Sequence, residues 1–92
     1  MRKIIGIDLD DTLCVGQHWR VGKDVLDAKP IKEMIKKVNE LYITNFIIIY
    51  TARQNYLISD TLEWLNKNDV RFHAISNRKI PLDYLIDDIR KP

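Results

Sequence analysis

Two short apolar runs, each followed by polar residues, constrain the fold of this 92-residue chain more than any other feature. Lys3 to Ile7 and Phe46 to Tyr50 have the length of buried strands and are apolar on both faces, as central parallel strands are. Between them lies an apolar stripe at helical spacing, formed by Ile31, Met34, Ile35, Val38, Leu41 and Tyr42. This strand–helix–strand order predicts a parallel α/β sheet.

The second half of the chain repeats the alternation. A helix is predicted from Asn55 to Lys67, with Ile58, Leu62 and Leu65 as its inner stripe, and strands are predicted over Val70 to Ile75 and Tyr84 to Ile86. We therefore expect one Rossmann-like α/β domain over residues 1–92. Its sheet should be mostly parallel and four-stranded, in the order 3-2-1-4, with helices on its flanks.

Residues 14–29 show no helical period and are predicted to form a short flap after the first strand. Two glycines bracket its central segment, GQHWRVG, which is typical of a small hairpin or flap. The side chains of His18, Trp19 and Arg20 have two equally supported interpretations. They either stack on a substrate or pack the flap onto the body.

Carboxylates follow the first and the last predicted strands. Asp8, Asp10 and Asp11 follow the first, and Asp87 and Asp88 follow the last. Carboxylates this close together repel one another, so the fold must expose them or supply a cation.

Thr51 follows the second strand in the same way that Asp8 and Asp87 follow theirs. In open α/β sheets ligands bind beyond the carboxyl ends of the strands. The sequence therefore predicts that these side chains meet at one edge of the sheet.

The net charge of +2 hides an uneven distribution. Without the five clustered acids, 15 basic residues face only 8 acidic ones. The excess is either an ordinary lysine-rich surface or a basic body around an acidic site, which would suit a metal and an anionic substrate. Composition does not separate the two interpretations.

Several classes of protein are disfavoured by composition. A single cysteine, Cys14, excludes an internal disulfide, and no apolar run approaches the length of a membrane span. The apolar stretch near the start is too short for a signal peptide and ends in acids. We expect a soluble cytoplasmic protein that does not contact the membrane.

Four short motifs, in order, resemble those of the haloacid dehalogenase-like (HAD) superfamily of phosphotransferases. They are DLDDT at residues 8–12 after an apolar strand, Thr51 within YTAR, Lys79, and the pair Asp87-Asp88. The run NRKIPLDYLIDD is similar to the family's K-P-x-A-D-Y-x-I-D-D pattern, with the lysine eight residues before the acidic pair.

The resemblance implies a mechanism through an aspartyl-phosphate. Asp8 would be the nucleophile, and Asp10 would be first general acid and then general base. Thr51 and Lys79 would hold phosphoryl oxygens, the first as a hydroxyl donor and the second as a point charge.

The resemblance also implies Mg²⁺ as cofactor. Its ligands would be the Asp8 carboxylate, the Asp10 main-chain carbonyl and Asp87, with Asp88 binding directly or through water. A cation at this point would let the clustered carboxylates tolerate one another.

Two further residues are candidates for substrate binding. Arg53 is either a substrate anchor or a solvated residue in the first helical turn. Thr12 either binds substrate or, with Asp11, only shapes the turn after the strand, and for Asp11 we prefer the turn.

Relatives in the family often carry a cap domain, whereas only the flap separates Leu13 from Pro30 here, so the resemblance is to the capless branch. The fourth strand would lie at a sheet edge, which leads us to expect a homodimer. The leading function is a Mg²⁺-dependent phosphatase acting on a small phosphorylated metabolite, such as a sugar phosphate or a nucleotide. A nucleic-acid end phosphatase is less favoured, and a non-enzymatic phosphoacceptor or phosphate-binding domain is a third alternative.

Overall fold

The computed structural model describes residues 2–78 and 80–87 of the chain. The predictions for Lys79 and Asp88 therefore lie outside the described residues. The elements are strand β1 (Ile4–Asp8), helix α1 (Lys32–Tyr42), strand β2 (Phe46–Tyr50), helix α2 (Ile58–Lys67), strand β3 (Ala74–Ser76) and strand β4 (Tyr84–Ile86). Within these residues no helix has the length and hydropathy needed to span a membrane.

The four strands form one parallel sheet in the order β3-β2-β1-β4, which confirms the predicted order and class. The register places Asp8 beside Tyr50, and Tyr50 beside Ser76. Ile7 lies beside Ile86, so the residue after β4 is brought next to the end of β1. The carboxyl ends of all four strands therefore share one edge.

The two central strands bury their isoleucines most completely on one face of the sheet. Ile7, Ile47 and Ile49 share that face and are fully buried, and Ile48 on the other face is 6% exposed. Gly6 serves close packing, since a Cβ on it would lie 2.5 Å from Leu82 Cδ1. Burial of this kind is worth about 25 cal/mol per Å² of apolar surface.

Helices α1 and α2 flank the sheet. The predicted stripe is confirmed on α1, whereas on α2 Leu65 is buried but Ile58 and Leu62 are only half-buried. Met34, Ile35 and Val38 are buried on α1. On α2 the most deeply buried apolar residues are Trp64 and Leu65, and the Trp64 indole N–H donates to the Ala28 carbonyl at 2.8 Å. Trp64 is therefore part of the core.

Helix α2 and strand β3 both begin later than predicted. Residues Asn55–Leu57 form a 3₁₀ turn, and the α-helix starts at Ile58. Residues 70 and 71 are held by the helices instead of by the sheet, since the Val70 N–H donates to the Leu65 carbonyl and the Arg71 N–H donates to Asn39 Oδ1. The strand is left with Ala74–Ser76.

The flap over residues 14–29 is present, but the hairpin interpretation of its central segment is wrong. His18–Arg20 and Val25–Asp27 are 3₁₀ turns. Gly16 and Gly22 have φ angles of 79° and 73°, which are costly for any residue with a Cβ. These two turns fold the segment back onto the body of the domain.

Candidate active site

Asp8 ends β1 and is half-buried at the carboxyl edge of the sheet. The pKa of its carboxyl is raised to about 6, chiefly by burial and then by the charges of Asp10 and Asp87. The Leu9 N–H and the Thr12 side chain oppose this rise. Three acids thus meet here, as the strand ends predicted.

Asp87 is placed by the pairing of β4 with β1. Ile86 lies beside Ile7, so the residues that follow them, Asp87 and Asp8, are also neighbours. Asp87 is exposed, and its charge acts on the pKa of Asp8. The structure therefore brings together the two described side chains that were predicted to hold a metal.

The carboxylate of Asp10 contacts three side chains, of which Cys14 is the weakest partner, with its Sγ 3.6 Å from Oδ1. Its Oδ1 accepts a hydrogen bond from Arg53 Nη2 at 2.8 Å, and its Oδ2 accepts one from the Trp19 indole N–H at 2.9 Å. Arg53 Nε also lies 3.4 Å from Oδ2. This carboxylate is thus turned toward Arg53 and the flap, and only its main-chain carbonyl remains for the predicted metal contact.

Arg53 is 1% exposed, so the interpretation of a solvated residue is wrong. Its guanidinium pairs with Asp10 and donates from Nη1 to Thr61 Oγ1 at 2.9 Å. Thr61 Oγ1 in turn donates to the Leu57 carbonyl at 2.7 Å. Direct contact of Arg53 with a substrate stays a prediction. In the structure the Arg53 side chain instead holds the Asp10 carboxylate in place.

Thr51 and Thr12 are both buried beside the site. Thr51 Oγ1 accepts a hydrogen bond from the Arg53 main-chain N–H at 3.1 Å, which leaves its own hydroxyl hydrogen as a donor. Thr12 Oγ1 makes no hydrogen bond of standard length to any described residue, although it lies close enough to Asp8 to affect its pKa. A buried hydroxyl that has no partner among the described residues can hydrogen-bond to a bound oxyanion or water.

Asp11 shapes the turn after β1, as preferred from the sequence. Its φ angle is 65°, and its Oδ1 accepts a hydrogen bond from the Gly16 N–H at 2.7 Å. The same carboxylate lies 3.5 Å from the Gln17 side-chain amide. Asp11 therefore fixes the start of the flap relative to the strand.

Lys79 lies outside the described residues, but the segment that leads to it is held against the site. The Asn77 side-chain amide donates to Asn55 Oδ1 at 2.6 Å and to the Arg53 carbonyl at 3.3 Å. These contacts bring residues 76–78 to the loop that carries Thr51 and Arg53.

The candidate metal ligands among the described residues are of the chemical type that a hard cation such as Mg²⁺ binds. The Asp8 and Asp87 carboxylates and the Asp10 carbonyl all supply oxygen, the atom that Mg²⁺ prefers. Over residues 2–78 and 80–87, no group of three His, Cys, Asp or Glu side chains is arranged to hold a metal. The predicted site needs only two carboxylate side chains and one main-chain carbonyl, so it does not require a group of three. Mg²⁺ usually keeps several waters as its other ligands.

Sequence reasoning missed two features of the site, the Asp10–Arg53 ion pair and the Trp19 contact. The sequence does contain a signal for the ion pair, because an arginine three residues after β2 must lie at the same edge as the acids after β1. Trp19 carries a weaker signal, since an indole between two glycines is suited to packing with its N–H bonded. For Trp19 the packing interpretation of the flap is confirmed.

No protein-family model and no curated protein matches the chain. A solved structure described as "Structure of the conserved protein coded by locus from Bacteroides thetaiotaomicron" is similar to it with a TM-score of 0.75. The two are 20% identical, over 97% of this chain and 78% of the other. The chain has an α/β Rossmann-like fold. At that identity the likeness extends to the fold alone.

Proposed function

We propose that the chain is a Mg²⁺-dependent phosphomonoesterase of the HAD type, acting through an aspartyl-phosphate. The observation that carries the proposal is the meeting of Asp8, Asp10 and Asp87 at the carboxyl edge of a parallel sheet, where burial and then the charges of the other two raise the pKa of Asp8. A perturbed carboxylate at such an edge favours a catalytic site over a structural one. The resemblance of four motifs to the HAD family supports the same reaction.

In the proposed reaction a carboxylate oxygen of Asp8 bonds to phosphorus while the bond from phosphorus to the ester oxygen breaks. The ester oxygen takes a proton and leaves as an alcohol. Water then attacks the phosphorus of the aspartyl-phosphate and gives up a proton, which releases inorganic phosphate and restores the carboxylate. With a pKa of about 6, Asp8 is largely ionised at neutral pH and available as the nucleophile.

Asp10 is the proposed proton donor to the leaving oxygen and the acceptor from the attacking water. Arg53 and the flap residue Trp19 fix the orientation of this carboxylate. Proton transfer requires a group held within hydrogen-bond reach of the reacting oxygen. Arg53 acts here as a positioning residue.

The remaining groups would bind the phosphoryl oxygens. The Thr51 hydroxyl hydrogen is available, and the Thr12 hydroxyl is buried next to Asp8. When bound, Mg²⁺ would neutralise charge on the phosphoryl group and on the carboxylates. Asp8, the Asp10 carbonyl and Asp87 would hold it. The resemblance adds Asp88 as a further metal ligand and Lys79 as a contact to a phosphoryl oxygen.

Released phosphate from a generic aryl phosphate tests the proposal. We expect turnover that requires Mg²⁺ and falls about a thousandfold or more in Asp8→Asn. Glu63→Gln, on the exposed side of α2, is the matched control and should keep full activity. Equal hydrolysis by Asp8→Asn and the parent would overturn the proposal. Covalent phosphate that persists for hours without turnover would favour a phosphoacceptor instead.

A further inference from the structure

A groove of about 540 Å³ runs along helix α1, beside the buried stripe that faces the sheet. The α1 residues that line it, with the C-cap residue last, are Lys32, Ile35, Lys36, Asn39, Glu40 and Ile43. These positions recur every three and four residues, so they form one continuous stripe about three turns long. Arg71, from the segment before β3, also lines the groove. These residues have no part in the proposed chemistry at phosphorus.

The two apolar side chains of the groove differ in burial. Ile35 is 7% exposed and belongs to the core of the domain, so its position is fixed. Ile43 is 70% exposed, which leaves most of its apolar surface in contact with water. Covering apolar surface is favourable by about 25 cal/mol per Å². A partner that packs on Ile43 would therefore gain binding energy from it.

The middle of the groove is held in place by the side-chain amide of Asn39. Its Nδ2 donates to the Asp69 carbonyl at 2.8 Å, and its Oδ1 accepts from the Arg71 N–H at 2.8 Å. These two hydrogen bonds join α1 to the segment that carries Arg71. The groove is therefore formed before any partner arrives, which lowers the entropy cost of binding.

The charged residues of the groove give it a positive potential. Lys32, Lys36 and Arg71 supply three exposed cations, against the one carboxylate of Glu40. Within residues 2–78 and 80–87 none of the three cations forms an ion pair. Lys36 and Glu40 are four residues apart on one helix and still do not pair. The cations are thus available to an acidic partner.

Charge and shape together favour one class of occupant. A nucleic acid would also be attracted by the cations, but its bases bind by stacking on aromatic rings, and no aromatic side chain is among the described residues that line the groove. An acidic protein segment with one apolar side would use both the cations and Ile43. A stripe three turns long along a helix is suited to a second helix packed against it.

We propose that this groove binds an acidic amphipathic helix of another protein. That helix packs its apolar residues on Ile43 and on the exposed edge of Ile35. Its carboxylates pair with Lys32, Lys36 and Arg71. The interaction does not depend on the proposed phosphatase function. A groove of this size gives a small interface, which is typical of transient partners.

A labelled synthetic peptide tests the proposal by fluorescence anisotropy. The probe has about 16 residues, or four helical turns, with leucines on one side and glutamates on the other. We expect saturable binding with a Kd below about 100 μM. Lys36→Glu should raise the Kd about fivefold, because attraction becomes repulsion, and Ile43→Asp should raise it about tenfold.

Each variant has a matched control outside the groove. Lys37→Glu makes the same charge change at an exposed position of the same helix, and Val21→Asp makes the same kind of change at a side chain that is 68% exposed. Both should leave the Kd within about twofold. A scrambled peptide of the same composition, with its leucines spread over all sides, should bind at least about tenfold more weakly.

The outcomes decide between the occupants. Loss confined to Lys36→Glu, Ile43→Asp and the scrambled peptide supports the proposal. No saturation up to about 1 mM peptide, or equal loss in Lys36→Glu and Lys37→Glu, would overturn it. So would tighter binding of an oligonucleotide that is weakened by the same variants, which would make the groove a nucleic-acid surface. Conversion of a dimer to a monomer by Lys36→Glu in light scattering would make the occupant a second copy of this chain instead.

Discussion

Arg53 Nη2 lies 2.8 Å from Asp10 Oδ1, in an ion pair whose side chains are 1% and 9% exposed. The pair joins the loop after β1 to the loop after β2, across the two central strands of the sheet. Cys14, packed beside both, has its thiol pKa raised to about 12 chiefly by burial, so it is an uncharged neighbour at neutral pH. The pair is therefore a buried, directional link between two parts of the site.

Removing the arginine from this pair should destabilise the fold strongly. Arg53→Met leaves the Asp10 carboxylate buried without its cation, which should lower the free energy of unfolding by about 3 kcal/mol. In the double variant with Asp10→Asn the loss should be smaller than the sum of the two single losses, by about 1–3 kcal/mol. Urea denaturation without metal measures all four proteins of the cycle.

Arg20→Met is the matched control, because Arg20 is exposed and stacks only over the flap tryptophan. It should change stability by less than about 0.5 kcal/mol. Strictly additive losses in the Arg53 and Asp10 variants would show that the two side chains do not support each other, against the geometry.

The pKa of Asp8 predicts how stability depends on pH in metal-free protein. It lies near 6 in the folded state and at the ordinary value of 3.8 in the unfolded state. Between these values the folded chain binds more protons, so the free energy of unfolding falls as pH rises from about 4 to about 6. The slope should be at most about 1 kcal/mol per pH unit, since Asp8 is only half-buried.

Asp8→Asn should flatten this part of the pH profile and should be more stable than the parent at neutral pH without metal. Urea denaturation in chelator across the range measures both effects, with Glu63→Gln as the control that keeps the parental slope. An unchanged slope in Asp8→Asn would contradict the assignment of the proton uptake to this carboxyl.

Metal binding should reverse that instability. Mg²⁺ at about ten times its Kd should stabilise the parent by about 1.4 kcal/mol, which in a domain of this size raises Tm by about 5 °C or more. Asp8→Asn and Asp87→Asn should lose most of the rise, whereas Glu63→Gln should keep it. Differential scanning calorimetry with and without Mg²⁺ reads the effect without any catalysis. Equal shifts in all four proteins would place the ion elsewhere.

The sheet could be predicted from the sequence because its determinants are local. β2 and β4 have the predicted bounds, since runs such as Phe46–Tyr50 bury both faces and have few alternatives. The meeting of Asp8 and Asp87 followed from topology alone, because parallel strands bring their carboxyl ends to one edge.

The ion pair and the internal turns of the flap could not be predicted in the same way. The partner of Asp10 is 43 residues away in sequence and is chosen by side-chain packing, which no periodicity encodes. The shortened β3 has the same origin, because Asn39 on α1 binds Arg71 and also donates to the Asp69 carbonyl. Tertiary contacts of this kind override strand propensity.

Asp83 should control how firmly β4, and with it Asp87, docks on the sheet. Its Oδ2 accepts from the Ile4 N–H at 2.6 Å, and its own N–H donates to the Ile4 carbonyl at 2.8 Å. Asp83→Ala should cost about 1 kcal/mol and should speed hydrogen exchange in β4 more than in β2. Asp83→Asn keeps an acceptor oxygen and should show less than half of each effect. Uniform acceleration across the sheet would mean that the contact does not act locally.

The edge position of β4 supports the expectation of a homodimer. Within the described residues β4 pairs with β1 alone, and its Tyr84 and Leu85 are 59% and 50% exposed. Unpaired backbone groups beside exposed apolar side chains favour association with a second strand. Light scattering at tens of micromolar should give the mass of two chains, and Leu85→Lys should shift it to one, because a charged side chain on an edge strand disfavours pairing. A monomer mass for the parent at that concentration would contradict the prediction of a homodimer.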